Sequence, residues 1–227
     1  SLHAALPFFI DWYLDITTRK SWPMQFWGDI DYRDGQTIGG IKFAWELNRL
    51  HHFPQLAIAS VITGNKKYER EIFDQLRSWL NANPYPLGIN WISGIEIGIR
   101  IVNLVYALKI LPNAPTSDDY DTVTEFIYRH ATHLLRFPSK HTSAANHAVA
   151  EALGLFVAGI SFPGFSASSK WKRFGKQVLE REVLRQIYPD GSSFEHTFPY
   201  LQFVVDHYLV YLLLCKEIGR ASCRERV

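Results

Sequence analysis

The chain has 227 residues, 47% of them hydrophobic and 20% charged, so it can bury one sizeable core and lacks the bias that keeps a chain disordered. A formal net charge of +2 with no concentrated basic run argues against nucleic acid or an anionic membrane surface as the main target. Its apolar runs all fall short of the roughly 20 residues of a membrane span, so no membrane insertion is expected.

Residues 2–16 read as an apolar, aromatic helix interrupted by Pro7, and 17–40 as a long loop carrying Trp22, Pro23, Phe26, Trp27 and Tyr32. The next helix spans 41–52, with Pro54 expected to end or kink it before 55–63 continues. Gly64-Asn65 makes a turn. Residues 66–80 form an amphipathic helix with Tyr68, Ile72, Leu76 and Trp79 or Leu80 on its stripe. After the loop Asn83-Pro84-Tyr85-Pro86-Leu87-Gly88, Ser93 starts a helix through Leu111. The acidic residues in Thr116-Ser117-Asp118-Asp119 favour a helix start there, for a run to Leu135.

The stretch 142–159 reads as a helix entered from a polar loop, with Ser143 as N-cap and Val149, Leu153, Phe156 and Ile160 as its buried stripe. Asn146 lies on the same stripe. A carboxamide there must find partners or meet a ligand, so it is either a capping or core amide or part of a site. His147 and Glu151 are four apart and can bond to each other; as metal ligands they lack an evident third. A charged amphipathic helix follows over 168–187, then the turn Tyr188-Pro189-Asp190-Gly191 and a last helix from Pro199 to Lys216.

Residues 217–227 break the pattern as a polar tail that resembles a translated sequencing-adapter oligonucleotide, and are expected to be non-native. Cys223 falls in that tail, which leaves Cys215 and no intrachain disulfide. The chain starts at Ser1 without an initiator Met, so the domain over 1–216 is expected to be truncated at both ends.

No strand is predicted, so the fold class is all-α. Helices with polar, Gly-rich entries begin near 40, 93, 143 and 198, roughly one helical hairpin apart, each followed by a more charged partner. That order predicts an incomplete α/α toroid of helical hairpins, with a HEAT-like solenoid as the alternative. In a toroid the inner-helix entries share one end. Glu46, Arg49, Asn90, Trp91, Glu96, Arg100, Asn146, His147, Glu195, His196 and Tyr200 then converge on one cleft. Each has a plainer reading. Glu96 with Arg100 and Glu46 with Arg49 suit ordinary helix ion pairs, Trp91 divides between core and sugar platform, and His51, His52 and His133 suit solvated or half-buried positions.

Four motifs in order carry a resemblance: Phe43-Ala44-Trp45-Glu46-Leu47-Asn48-Arg49; Asn90-Trp91 followed by Glu96 and Arg100; Ser143-Ala144-Ala145-Asn146-His147 with Glu151; and Asp190-Gly191-Ser192-Ser193-Phe194-Glu195 ahead of Tyr200. Together they resemble the N-terminal domain of the heparinase II/III family over residues 22–216. The resemblance implies a polysaccharide lyase acting on uronate-containing chains such as heparan sulfate or alginate, with no cofactor. It further implies an α/α toroid joined to a C-terminal β-sandwich region that lies beyond this chain and supplies a catalytic His, and a periplasmic or secreted location. By that resemblance Asn146 matches the residue that neutralises the uronate carboxylate, and Tyr200 the catalytic tyrosine. The family's usual His after that tyrosine is here Leu201.

The chemistry suits those residue types. Removing the weakly acidic C5 proton of a uronate builds charge on the adjacent carboxylate, and a carboxamide donor stabilises that charge. Asn146 supplies it, His147 assists, and Tyr200 serves as base, acid or both. Two rivals remain at this stage. One is a glycoside hydrolase on a similar toroid, using two carboxylates among Glu96, Glu151 and Glu195; the other is a non-catalytic glycan-binding helical domain.

Overall fold

The computed structural model describes residues 10–33, 35–139 and 145–224, with side chains described as far as residue 219. The opening segment differs from expectation in its described part. Instead of continuing a helix to residue 16, it forms an antiparallel hairpin, β1 (Leu14–Asp15) with β2 (Lys20–Ser21). The cause is local. Asp15 Oδ1 accepts the Thr17 and Thr18 amides at 2.8 and 3.1 Å, an Asx-type turn that competes with helical bonding. Trp12 and Tyr13 are then drawn into the core. The rest of the entry is an irregular aromatic loop with one 3₁₀ turn at Trp27–Asp29.

Eight helices follow among the described residues: α1 (Ile41–Asn48), α2 (His52–Thr63), α3 (Lys67–Ala82), α4 (Gly94–Ile110), α5 (Ser117–Arg136), α6 (Ala145–Ser161), α7 (Ser168–Gln186) and α8 (Phe198–Arg224). The break between α1 and α2 sits at Leu50, whose φ is 59°, and not at Pro54. Pro54 lies in the first turn of α2, where its missing amide would have had no helical partner. Thr116 caps α5, its Oγ1 accepting from the Asp119 amide. The residue expected to cap α6, Ser143, lies outside the described residues. The last helix runs past Lys216 to Arg224.

The helices form two layers. One holds α2, α4, α6 and α8 in sequence of contact; α3, α5 and α7 pack on its outside. The first hairpin departs from the expected alternation, because the apolar α2 intervenes between short α1 and the charged α3. α6 is the centre: from Ala148 to Gly159 every residue is buried, so its apolar surface encircles the helix instead of forming one stripe. Phe156 meets Tyr211 of α8 edge-on at 5.0 Å. Tyr208 Oη donates to Leu179 O of α7 at 2.8 Å.

α4 and α6 cross backbone to backbone. A Cβ on Gly98 would sit 2.4 Å from Ala150 O, and one on Gly154 would sit 2.7 Å from Gly98 Cα. Gly98→Ala is therefore expected to push the two helices apart and lower stability by about 1–3 kcal/mol in urea unfolding, the range for overpacking a tight core.

α8 leaves one face open. Phe198, Val205, Leu209, Leu212 and Leu213 are exposed, whereas Val204 is buried against the bundle. The segment Phe198–Gly219 is also long and apolar enough to cross a membrane by length and composition, against the expectation that no run would be. It touches α6 through Tyr211 and α7 through Tyr208, and most of its length is not buried.

Beneath the helix entries lies a dense aromatic and polar layer. Trp79, Trp91, Phe126, His130 and His133 meet stacked, tilted or edge-on, with ring centres 3.8–5.9 Å apart. Arg100 lies wholly buried with its guanidinium 5.0 Å from the Trp79 ring centre, donating to Asn90 O and to His130 Nε2. That donation makes Nε2 the acceptor, so His130 Nδ1 carries the hydrogen and donates to Phe126 O at 2.7 Å. His133, expected to be solvated or half-buried, is only 3% exposed.

Burial, reinforced by the charge of Arg100, holds His130 well below the usual imidazole range and brings His133 down to about 4. Both stay neutral when folded while the unfolded chain protonates near 6.5. Their contribution is thus complete above 6.5 and drains away as pH falls toward 4. Urea midpoints measured at pH 7.5 and pH 5 should show a loss of about 2 kcal/mol for His133.

Candidate active site

The entries of α1, α4, α6 and α8 meet at one end of the inner layer and enclose a cleft of about 400 Å³. Its walls carry Lys42, Trp45 and Arg49 from α1, Ser93 and Glu96 from α4, Asn146 and His147 from α6, and Glu195 and Tyr200 from the α7–α8 connection and the first turn of α8. Helix starts expose free amides and a partial positive charge, so a site built from several of them favours an anionic ligand.

Arg49 is the anchor of the α1 side. Its Nε and one Nη hold both oxygens of Glu96 at 2.6 and 2.9 Å, and its other Nη meets Glu46 at 2.6 Å. Glu96 therefore pairs with Arg49 across two helices and not with Arg100 four residues on. Glu46 stands exposed at the rim, outside the cleft lining. The Trp45 indole is fixed from below, its Nε1 donating to Ile89 O at 3.1 Å.

Asn146 is 5% exposed and donates Nδ2–H to Glu195 Oε1 at 3.2 Å. Among the described residues its Oδ1 and Glu195 Oε2 are buried without a partner. Burial raises the Glu195 carboxyl above its ordinary range, while the Asn146 bond acts the other way. Burial lowers His147, opposed by the charge of Glu96, so the imidazole beside the amide is neutral at neutral pH. Tyr200 is half exposed, its ring lining the same cleft.

Three candidates leave the substrate surface. Asn90, Trp91 and Arg100 are all fully buried. Asn90 Nδ2 donates to Asn48 Oδ1 at 2.8 Å and to Asn83 Oδ1 at 2.7 Å, an amide network that ties α1 to the loop before α4. Trp91 belongs to the aromatic layer, because the 3₁₀ turn Ile89–Trp91 rolls its ring inward. His196 is exposed on a left-handed turn with φ of 49°, near the Tyr188 ring and outside the cleft lining. Glu151 does not bond His147. Both its oxygens accept from Ser139, from the amide at 2.8 Å and the hydroxyl at 2.5 Å, and it lines a separate cavity between α5, α6 and α7. Lys42 was not foreseen. It shares a helical face with Trp45 and Arg49, at spacings of three and seven, and that periodicity was the available signal. Among the described residues no group of three or more His, Cys, Asp or Glu is placed to hold a metal ion.

An all-α stack of hairpins with a polar cleft at the inner-helix entries defines an α/α toroid type of domain. The sequence profile described as Heparinase II/III N-terminus matches residues 14–223, and the chain belongs to that family. A heparin-sulfate lyase of Pedobacter heparinus is 28% identical over 170 residues, covering 73% of this chain and 26% of that protein. One from Bacteroides thetaiotaomicron is 27% identical over 204 residues, covering 87% and 29%. The crystal structure of heparan sulfate lyase HepC from Pedobacter heparinus shares the fold, with a TM-score of 0.60 at 22% identity over 83% of this chain and 34% of that one. The chain thus spans under a third of the length of the curated relatives it matches.

Proposed function

We propose that this domain forms one wall of the active site of a polysaccharide lyase that cleaves a heparan-sulfate-like chain by β-elimination. The observation that carries the reading is the convergence of Asn146, His147 and Tyr200 with the cations Lys42 and Arg49 in one helix-entry cleft, in a chain whose relatives are named heparin-sulfate lyases. The uronate carboxylate is received by Asn146, with neutral His147 beside it. Tyr200 exchanges protons with C5 or with the departing C4 oxygen. The C5–H electrons become the C4–C5 double bond as the C4–O bond breaks and its oxygen leaves protonated. No proton is needed from the amide, whose bond to the carboxylate strengthens as charge accumulates there.

The hydrolase reading loses ground on the carboxylates. Glu151 lines a different cavity, and Glu96 is clamped by both arms of Arg49. Glu195 is then the one cleft-lining carboxylate without a cationic clamp, and hydrolysis by the two-carboxylate route needs a pair.

The cleft is open on one side, so a uronate bound here alone stays partly hydrated. A following β-sandwich region of the same protein is the proposed cover; it would exclude water and bring the remaining His. Ultraviolet assay of the full-length protein on heparan-type chains and alginate, in parallel with the 227-residue chain, tests this. The expected result is a new absorbance from an unsaturated uronate for the full-length protein on the heparan type, and little or none for the isolated chain. Cleavage without new absorbance would replace the lyase by a hydrolase.

A further inference from the structure

A second concavity of about 450 Å³ adjoins the cleft around the start of α1, lined by Tyr32, Arg33, Gly39, Lys42, Phe43 and Glu46 among others. It is continuous with the cleft in two ways. Lys42 lines both. The Tyr32 ring lies 6.1 Å from Trp45, which lines the cleft on the other side. Phe43 is 47% exposed, its ring edge lying against Gly40 and the rest of its face open. The Arg33 guanidinium lies 5.3 Å over the Tyr32 ring, and neither Arg33 nor Lys42 has a carboxylate partner among the described residues. Two unpaired cations flanking an exposed ring match one ligand chemistry: a sugar whose apolar face stacks on the aromatic while its carboxylate or sulfate meets the cations.

We infer that this concavity is a second saccharide subsite, holding an anionic sugar residue farther along the chain from the one at Asn146 and Tyr200. The inference rests on the lyase reading for the identity of the polymer. Its geometry is independent of the reaction. Phe43 and Arg33 lie outside the cleft lining and are exposed, so neither is needed for the fold or for the residue held at Asn146.

The test is calorimetric binding of a uronate-containing disaccharide and the matching hexasaccharide to the 227-residue chain and to Phe43→Ala and Arg33→Ala. The wild-type chain should bind the hexasaccharide about tenfold or more tighter, with each variant reducing that advantage several-fold and leaving the disaccharide unchanged. An advantage that survives both substitutions, or equal binding of the two lengths by the wild-type chain, would overturn the subsite. The lyase reading fails on a different result, namely no unsaturated product from the full-length protein.

Discussion

Asn146→Ala in the full-length protein should lower turnover by about 100-fold or more, the scale of one lost oxyanion donor, while weakening substrate binding far less. The cleft itself supplies the reason. Asn146 already directs Nδ2–H at a carboxylate, that of Glu195, at 3.2 Å. A uronate carboxylate presents the same acceptor chemistry, and its charge grows during C5 proton removal, so the amide acts more on the transition state than on the bound substrate. Loss of the side chain also removes a buried polar contact, so the variant's thermal midpoint must be measured beside its rate. A folded variant with an unchanged turnover number would remove Asn146 from the mechanism.

Tyr200→Phe should give a folded and inactive full-length protein. The ring is half exposed and its hydroxyl makes no hydrogen bond to the described residues, so deleting one oxygen leaves packing intact. Whatever activity is lost then belongs to proton transfer, expected at about 100-fold to 10,000-fold for a general acid or base. Comparable turnover in the variant would transfer the proton role to another group, with His147 and Glu195 the titratable candidates that share the cleft wall.

The helical frame was legible because long periodic segments and their punctuation agree. A helix start was expected at Thr116-Ser117-Asp118-Asp119 and α5 begins there, and the turns at Gly64 and Gly191 fell where the residues required them. Pro54 misled because a proline interrupts a helix only past its first turn, and the preceding left-handed Leu50 had no composition signal. The convergence of the helix entries was also legible, since it follows from topology. Depth was not. Asn90, Trp91 and Arg100 have the residue types of a site, but the 3₁₀ turn carries the first two, and α4 the third, beneath its floor, where Asn90 Nδ2 and two guanidinium nitrogens of Arg100 bond to the chain's own amides, a carbonyl and a ring. Sequence spacing along α4 suggested an ion pair between Glu96 and Arg100. The partner came instead from Arg49, 47 residues earlier, a long-range choice that local periodicity does not encode.

The bare crossing of α4 and α6 carries a consequence for how this cleft can change. Glu96 and Asn146 stand on those two helices, and the separation between them is gauged where Gly98 and Gly154 touch, with no side chain in between to act as an adjustable spacer. Most helix pairs drift as their contact residues are exchanged for larger or smaller ones. Here that pair of walls has a hard stop. Substitutions around the rim can alter which groups a ligand meets, but the spacing of the α4 and α6 walls is set where two glycines touch.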